Sequence, residues 1–175
     1  MRVIAGTARG VKLDTLSGLE TRPTLDRVRE AIFGSIQFDI RGKRCLDLFS
    51  GSGAMGIEAL SRGAGECVFV DINRQCVRLI RDNLMRAGLE GQVVEASYTD
   101  ALGSLKGHFD YIFMDPPYAS GFYGRAAEII KERALLAADG EIIAEHNAPL
   151  DIDGYEPYRS YRYGKVFVTR FVNKD

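Results

Sequence analysis

The 175-residue chain has few of the residues that hold metal ions, with two histidines and three cysteines. Cys45, Cys67 and Cys76 include no C-x-x-C pair, so no metal site is expected. Each cysteine lies in or beside an apolar run, which favours buried free thiols and a reducing cytoplasm. No apolar run approaches the ~20 residues of a membrane-spanning helix, and the N-terminus lacks the apolar segment of a signal peptide.

The chain also lacks repeats, linker-like segments and a strong excess of charge. Its net charge is −1, so any contact with nucleic acid must depend on a local basic patch. The length is typical of one domain with a substantial core, and we expect residues 1–175 to form that single domain. We expect residues 1–40 to form a hairpin and a helix, and residues 41–175 to form the core. A cytoplasmic monomer is expected.

From residue 44 onward the sequence alternates between strand-like and helix-like segments. The apolar, strand-like runs lie at 44–49, 66–71, 92–96, 109–115 and 140–146. The helical patterns lie between them at 54–62, 73–88 and 124–136. This alternation predicts an α/β fold in which a mostly parallel sheet has helices on both faces. Residues 158–164 and 165–172 predict an antiparallel C-terminal hairpin. Residues 2–6 and 11–13 predict a small N-terminal hairpin, followed by a helix that starts at Pro23.

A glycine-rich turn follows the first of these strands, in the stretch "DLFSGSGAMG". Gly51, Gly53 and Gly56 form a G-x-G-x-x-G pattern, which lets a ligand approach the backbone but does not identify it. Asp71, at the end of the second strand, can accept hydrogen bonds from the ribose of NAD or of S-adenosylmethionine. Asp47, expected near the mouth of the crevice, favours the cationic S-adenosylmethionine over a pyrophosphate.

A second motif, "DPPY", follows the fourth strand at Asp115, Pro116, Pro117 and Tyr118. Because ligands bind at the carboxyl ends of parallel strands, we expect Asp115 to line one crevice with Asp47 and Asp71. The two prolines fix the backbone, so that carbonyl groups can point into the crevice beside the tyrosine ring. Such a site suits the exocyclic amino group of a stacked base. Hydrogen bonds to Asp115 and the Pro116 carbonyl would aim its lone pair at a methyl donor.

With these motifs in place, the chain resembles class I S-adenosylmethionine-dependent methyltransferases that modify amino groups. More narrowly, it resembles the RsmD family of bacterial 16S rRNA guanine-N2 methyltransferases. The matching segments are "RVIAGTARGVKL", "RPTLDRVREAIF", "CLDLFSGSGAMGIEALSRGA", "VDIN" and "FDYIFMDPPY". The resemblance implies a Rossmann-like fold with a seven-stranded sheet, no metal, and S-adenosylhomocysteine as product. It also implies 16S rRNA as the partner, in an assembled or assembling small ribosomal subunit.

The resemblance further implies roles for individual residues. It implies donor contacts by Arg22, Thr24, Asp47, Phe49, Ser50, Gly51, Gly53, Asp71, Ile72, Ser97, Tyr98 and Asp115. It implies catalysis by Asp115, Pro116, Pro117 and Tyr118. It implies RNA contacts by Arg2, Arg9, Lys12 and Arg27, with residues 1–40 facing the RNA and closing over the donor. Where the family has Asn or Asp after the third strand, this chain has Ser97, so the adenine contact falls to the Ser97 hydroxyl or the Tyr98 backbone.

Three other functions stay open at this point. "DPPY" alone also fits an adenine-N6 methyltransferase of DNA or RNA. The glycine pattern fits an NAD-dependent oxidoreductase, although neither His108 nor His146 belongs to a motif for hydride chemistry. The third possibility is a non-catalytic RNA-binding module, although such a module would not need "DPPY". Basic residues on helices are usually solvated, which is the competing interpretation of Arg27 and Arg29.

Overall fold

The computed structural model describes residues 1–17, 23–117 and 121–175, with the backbone alone for residues 23 and 24. Its helices are Pro23–Ile36 (α1), Ala54–Ser61 (α2), Arg74–Ala87 (α3), Tyr98–Ser104 (α4) and Phe122–Glu132 (α5). Its strands are Arg44–Asp47 (β1), Glu66–Asp71 (β2), Gln92–Glu95 (β3), Phe109–Met114 (β4), Leu136–His146 (β5), Tyr155–Tyr163 (β6) and Val166–Asn173 (β7). None of the helices in these ranges is long and apolar enough to cross a bilayer.

The seven strands of the described ranges form one sheet in the order β3-β2-β1-β4-β5-β7-β6. β1 pairs in parallel with both β2 and β4, and β3 and β5 continue the parallel part outward. β7 pairs antiparallel with β5, and β6 pairs antiparallel with β7. The predicted mostly parallel sheet with an antiparallel C-terminal hairpin is confirmed. The chain moves outward from β1 in one direction and then returns to β4, which creates a switch point beside β1.

Alternation along the strands supplies a core on each face of the sheet. On one face Leu46, Val68 and Ile112 pack against α4 and α5. On the other face Cys45 and Phe69 pack against α1, α2 and α3. Both faces are therefore covered by helices, as the sequence predicted. The three cysteines are buried free thiols, again as predicted.

The N-terminal hairpin is confirmed and is docked firmly on α2. Arg2 and Lys12 form an antiparallel bridge. The amides of Ile4 and Ala5 donate to the two carboxylate oxygens of Glu58, a fully buried residue of α2, at 2.9 and 3.0 Å. The docking continues at Gly6, where a Cβ would lie only 1.8 Å from the carbonyl oxygen of Ser61. The hairpin is therefore packed against the rest of the protein and does not extend into solvent as a free arm.

The largest differences from the sequence-based prediction are one missed helix and the boundary between α5 and β5. α4 was not predicted, because seven residues are too few to show a helical period; Ser97 caps it and only Ala101 and Leu102 are buried. The helix predicted at 124–136 starts two residues too late and ends four residues too late, since α5 spans Phe122–Glu132. The chain then turns at Ala134, with a φ of 50°, and β5 starts earlier than predicted.

Candidate active site

A crevice of about 1420 Å³ lies at the carboxyl ends of β1, β2 and β4. Asp47, Asp71 and Asp115 all line it, although each follows or ends a different strand. The sheet order explains their meeting, because β1 pairs with both β2 and β4 and so brings the three strand ends to one edge. The prediction that these three carboxylates share one crevice is confirmed.

Most of the other residues predicted to contact the donor or to act in catalysis line the same crevice. They are Phe49, Ser50, Gly51, Ile72, Ser97, Tyr98, Pro116 and Pro117. Gly53 is not in the lining; it is the N-cap residue of α2, and a Cβ there would meet Ile80 at 3.2 Å. Arg22, Tyr118 and the side chain of Thr24 lie outside the described residues.

The glycine turn between β1 and α2 uses its glycines differently. Gly51 and Gly53 have φ values of 55° and 80°, a backbone conformation that favours glycine. A Cβ on Gly51 would meet nothing within 4 Å, so the backbone there is open to a ligand. A Cβ on Gly56 would lie 2.3 Å from Phe69 Cε1, so this glycine lets α2 pack closely on β2. Two glycines therefore shape the turn, and the third brings the helix against the sheet.

Asp47 lies in the crevice wall and is only 4% exposed. Its Oδ2 accepts a hydrogen bond from the Gly56 amide, in the first turn of α2, at 3.0 Å. Burial, together with the nearby Asp71, raises the pKa of Asp47 to about 7, although the Gly56 hydrogen bond opposes that rise. The sequence predicted Asp47 near the mouth of the crevice, whereas the structure buries it in the crevice wall. Asp47 is a buried carboxyl group that a cation in the crevice would help to ionise.

Asp71 is held by two backbone amides. Its Oδ2 accepts from Gly51, and its Oδ1 accepts from Asn73, both at 2.8 Å. Each carboxylate oxygen has two lone pairs, so an acceptor site on each remains for a ligand hydroxyl. The neighbouring Ile72 is 72% exposed and lines the crevice. This corner therefore offers hydrogen-bond acceptors beside an apolar surface, which suits a ribose and its base.

Phe49, Tyr98 and Phe122 form an aromatic wall in the crevice. The rings of Phe49 and Phe122 are stacked with centroids 5.8 Å apart, and Tyr98 lies 5.5 and 5.0 Å from them. Ser97, beside this wall, caps α4 because its Oγ accepts from the Asp100 amide at 3.1 Å. Phe122 was not predicted, although an aromatic residue soon after "DPPY" was a usable signal.

Asp115 directly follows β4 and is exposed to the crevice. Glu145, near the end of β5, lines the same crevice and was not predicted. The strand-end rule that identified the three aspartates also applies to it. Desolvation by the surrounding protein raises the pKa of Asp115 well above its usual range, and the charges of Glu145 and Asp47 raise it further. A cation or a hydrogen-bond donor beside Asp115 would therefore be stabilised.

Arg29 of α1 lines the crevice and is only 4% exposed. Its Nη2 donates to the Arg2 carbonyl at 2.5 Å, and its Nε lies 4.0 Å from Glu58 Oε2. The interpretation of Arg29 as a solvated helix residue was wrong, because it ties α1 to the N-terminal hairpin and to α2. The residues predicted to contact RNA are all exposed and lie outside the crevice lining: Arg2, Arg9, Lys12 and Arg27.

The described residues include no group of three or more side chains that could hold a metal ion. The crevice instead combines buried and exposed carboxylates, an open backbone turn and an aromatic wall. Carboxylates and aromatic faces both attract organic cations, and the acceptors of Asp71 suit hydroxyl groups. The geometry therefore favours a cationic ligand that carries a sugar and a ring.

A family model described as "Conserved hypothetical protein 95" matches residues 1–172. The Bacillus subtilis (strain 168) protein YlbH, provisionally named an rRNA methyltransferase, is 40% identical over 157 residues, covering 87% of this chain and 85% of that protein. Ribosomal RNA small subunit methyltransferase D of Haemophilus influenzae is 34% identical over 150 residues, covering 83% of this chain and 78% of that protein. The solved structure of yhhF from Escherichia coli, provisionally titled a methyltransferase, is similar with a TM-score of 0.88 and 29% identity, covering 99% of this chain and 98% of that one. The chain therefore belongs to the Conserved hypothetical protein 95 family, which is the RsmD family that its sequence resembles.

Proposed function

We propose that this protein transfers a methyl group from S-adenosylmethionine to the exocyclic N2 amino group of a guanine in 16S rRNA. One observation carries the proposal: Asp115 and the following Pro116 and Pro117 open into the same crevice as the glycine turn and Asp71. A donor site and an acceptor for an amino group thus share one space. The names of the relatives, which specify small-subunit ribosomal RNA, support the substrate.

The residues of the crevice fit this donor. Gly51 presents open backbone, and Asp71 has acceptor sites left for the ribose hydroxyls. Ile72 supplies an apolar surface for the adenine, with the Ser97 hydroxyl or the Tyr98 backbone at its polar edge. The donor supplies an activated methyl group on a positively charged sulfur. Asp47 and Asp115 disfavour a pyrophosphate, because each carboxylate would repel its negatively charged phosphate groups.

Asp115 acts on the target amino group. Its carboxylate accepts one N–H, and the Pro116 carbonyl accepts the other, so that the nitrogen lone pair points toward the methyl group. As the N–C bond forms, the bond between the methyl carbon and the donor sulfur breaks and S-adenosylhomocysteine leaves as a neutral thioether. Positive charge therefore develops on nitrogen beside Asp115, which stabilises it. One N–H proton is then released to a carboxylate or to water. Stacking of the guanine on Tyr118, which lies outside the described residues, remains a prediction.

The N-terminal part supplies RNA contacts. Arg2, Arg9 and Lys12 are exposed on the docked hairpin, and Arg27 is exposed on α1. It remains a prediction that residues 1–40 close over the donor, with Arg22 and Thr24 at its methionine end. It also remains a prediction that residues 1–175 form a single domain and that the protein is a cytoplasmic monomer that acts on the small subunit. Lys12→Glu should lower methylation of small subunits and leave donor affinity unchanged, as calorimetry and a transfer assay would measure.

Adenine-N6 methylation and NAD-dependent oxidation are the competing functions. The first would use the same crevice with a different base. The second requires a pyrophosphate beside Asp47 and a hydride partner that the motifs do not supply. Calorimetry with S-adenosylmethionine and with NAD separates the second function from the proposed one.

The decisive experiment is nucleoside mass spectrometry. Small subunits from cells that lack this protein are incubated with purified protein and S-adenosylmethionine, and the 16S rRNA is digested. N2-methylguanosine is expected, and N6-methyladenosine in its place would overturn the proposal. Asp71→Ala should weaken donor binding by about 10- to 100-fold, because hydrogen bonds to a charged acceptor contribute about 1.5–3 kcal/mol. Asp139→Ala, an exposed aspartate on β5, is the matched control and should change nothing.

A further inference from the structure

The C-terminal hairpin carries an unusual sequence along its outer strand. Residues 157–165 read "PYRSYRYGK", with three basic residues, three tyrosines and no acid. A protein with a net charge of −1 has concentrated positive charge and aromatic rings in nine residues. Basic residues interleaved with aromatic rings are the surface chemistry that binds a nucleic-acid strand. None of these residues is among those predicted to contact RNA.

The basic side chains of this hairpin are exposed to solvent. Arg162 lies with its guanidinium 5.3 Å from the centroid of the Phe167 ring, and its Nε donates to the Gly164 carbonyl at 3.0 Å. Lys165 is exposed at the tip, and Arg159 is exposed further along β6. Within the described part of the chain, none of these three basic side chains forms an ion pair with an acid. Their charge is therefore available to a partner.

The hairpin surface is continuous with the candidate active site. Its tip, residues 163–166, lines the crevice that Asp115 also lines. In the sheet order, β7 and β6 lie on the β4 and β5 side of β1. The N-terminal hairpin is docked on α2 instead, through Glu58. Exposed basic residues thus lie on two separate parts of the fold, and those of the C-terminal hairpin reach the crevice through Lys165.

We infer that the β6–β7 hairpin is a second RNA contact, in which Arg159, Arg162 and Lys165 bind backbone phosphates next to the target nucleotide. This inference rests on the proposed function for the identity of the RNA. Tyr158, on the same hairpin, is 59% exposed, with the guanidinium groups of Arg170 and Arg159 at 5.4 and 5.8 Å from its ring centroid; the exposed part of the ring is the surface that would stack on an unpaired base. Charges on an edge strand also prevent strand pairing between molecules, but charges of either sign would serve that purpose. A run of basic residues and tyrosines without an acid instead matches a polyanion.

The test measures binding of small ribosomal subunits, isolated from cells that lack the protein, as a function of KCl concentration. Each phosphate contact contributes about 0.7–0.9 to the slope of log K against log salt. Arg162→Gln and Lys165→Gln should each reduce the slope by about that amount, and the double variant by about twice as much. Lys165→Arg should keep the slope. Lys106→Gln, an exposed lysine before β4 at the opposite ends of the strands, is the matched control and should keep it as well.

Donor affinity, measured by calorimetry, should stay within twofold of the wild type in Arg162→Gln and Lys106→Gln, whose side chains lie outside the crevice lining. An unchanged salt slope in the double variant would overturn the inference. If that variant also forms dimers, the charges serve instead to prevent strand pairing between molecules. The proposed function is tested separately, because it fails if the wild-type protein transfers no methyl group to the subunits. A reduced slope in the hairpin variants would still support the RNA contact in that case.

Discussion

Asp47→Asn should strengthen the fold and weaken the donor site at the same time. The carboxyl group is 4% exposed, and burial raises its pKa from 3.8 to about 7. A rise of that size means that ionisation of Asp47 lowers the free energy of unfolding by about 4 kcal/mol. Asparagine removes the charge, and its Oδ1 can still accept the hydrogen bond from the Gly56 amide. The free energy of unfolding of the empty protein should therefore increase at pH 8.

The sign of the pH dependence follows from the raised pKa. Between about pH 4 and 7 the folded protein binds a proton at Asp47 that the unfolded chain has released. This group therefore favours folding at low pH, and that contribution is lost as the pH rises through 7. Urea unfolding of both proteins should show a small difference near pH 4.5 and a gain for Asp47→Asn of up to about 4 kcal/mol at pH 8.

Donor affinity should respond in the opposite direction. If the donor cation binds only when Asp47 is ionised, wild-type affinity should fall about 16-fold between pH 7.0 and 5.5. The α-amino group of the donor stays protonated over this range, since such groups titrate near pH ~7.7–8.0. In Asp47→Asn the donor should bind more weakly at pH 7.0, with a smaller pH dependence. A wild-type affinity that does not change between these pH values, or a loss of stability in Asp47→Asn at pH 8, would refute the reasoning.

Four further outcomes follow from other contacts. Asp115→Asn should lower kcat at least ~100-fold, with a smaller loss of donor affinity. In the wild type, because the pKa of Asp115 is raised in the empty protein, kcat/KM should fall as the pH drops through a value above the usual aspartate range, as a pH–rate profile would show. Gly56→Ala should lower the free energy of unfolding by about 1–3 kcal/mol in urea titrations, because its Cβ would lie 2.3 Å from Phe69 Cε1. Glu58→Gln should speed hydrogen exchange at the Ile4 and Ala5 amides, since the buried carboxylate accepts from both; unchanged exchange would contradict the docking described above.

The fold was predictable where each element carries its own signal. The strands are short apolar runs, and α3 shows its period, an Asn73 cap and the Gly88 end in sequence alone. The meeting of Asp47, Asp71 and Asp115 followed from a general rule about strand ends, with no knowledge of side-chain contacts. The same rule would have found Glu145, had it been applied to the fifth strand.

Features that depend on distant residues were not predictable. The burial of Arg29 depends on Arg2 and Glu58, which lie 27 residues before it and 29 residues after it. The raised pKa of Asp47 depends on a wall of protein that forms only when β1, α2 and β2 come together. A periodic pattern reports which face of an element is apolar, but it does not report which polar group that face will enclose. The electrostatics of the site therefore required the structure.

The positions of the carboxyl groups suggest a division of labour in the proposed reaction. Positive charge leaves the donor sulfur and appears on the acceptor nitrogen. A carboxylate that acts only on the sulfur binds the donor tightly but opposes the reaction, because the charge that it stabilises is lost. In the proposed reaction Asp47, beside the glycine turn, acts on the cationic donor, whereas Asp115 acts on the acceptor nitrogen, where charge develops. Asp47→Asn should therefore change mainly donor affinity, and Asp115→Asn mainly kcat, so that comparison of the two variants assigns each carboxylate to one end of the transferred charge.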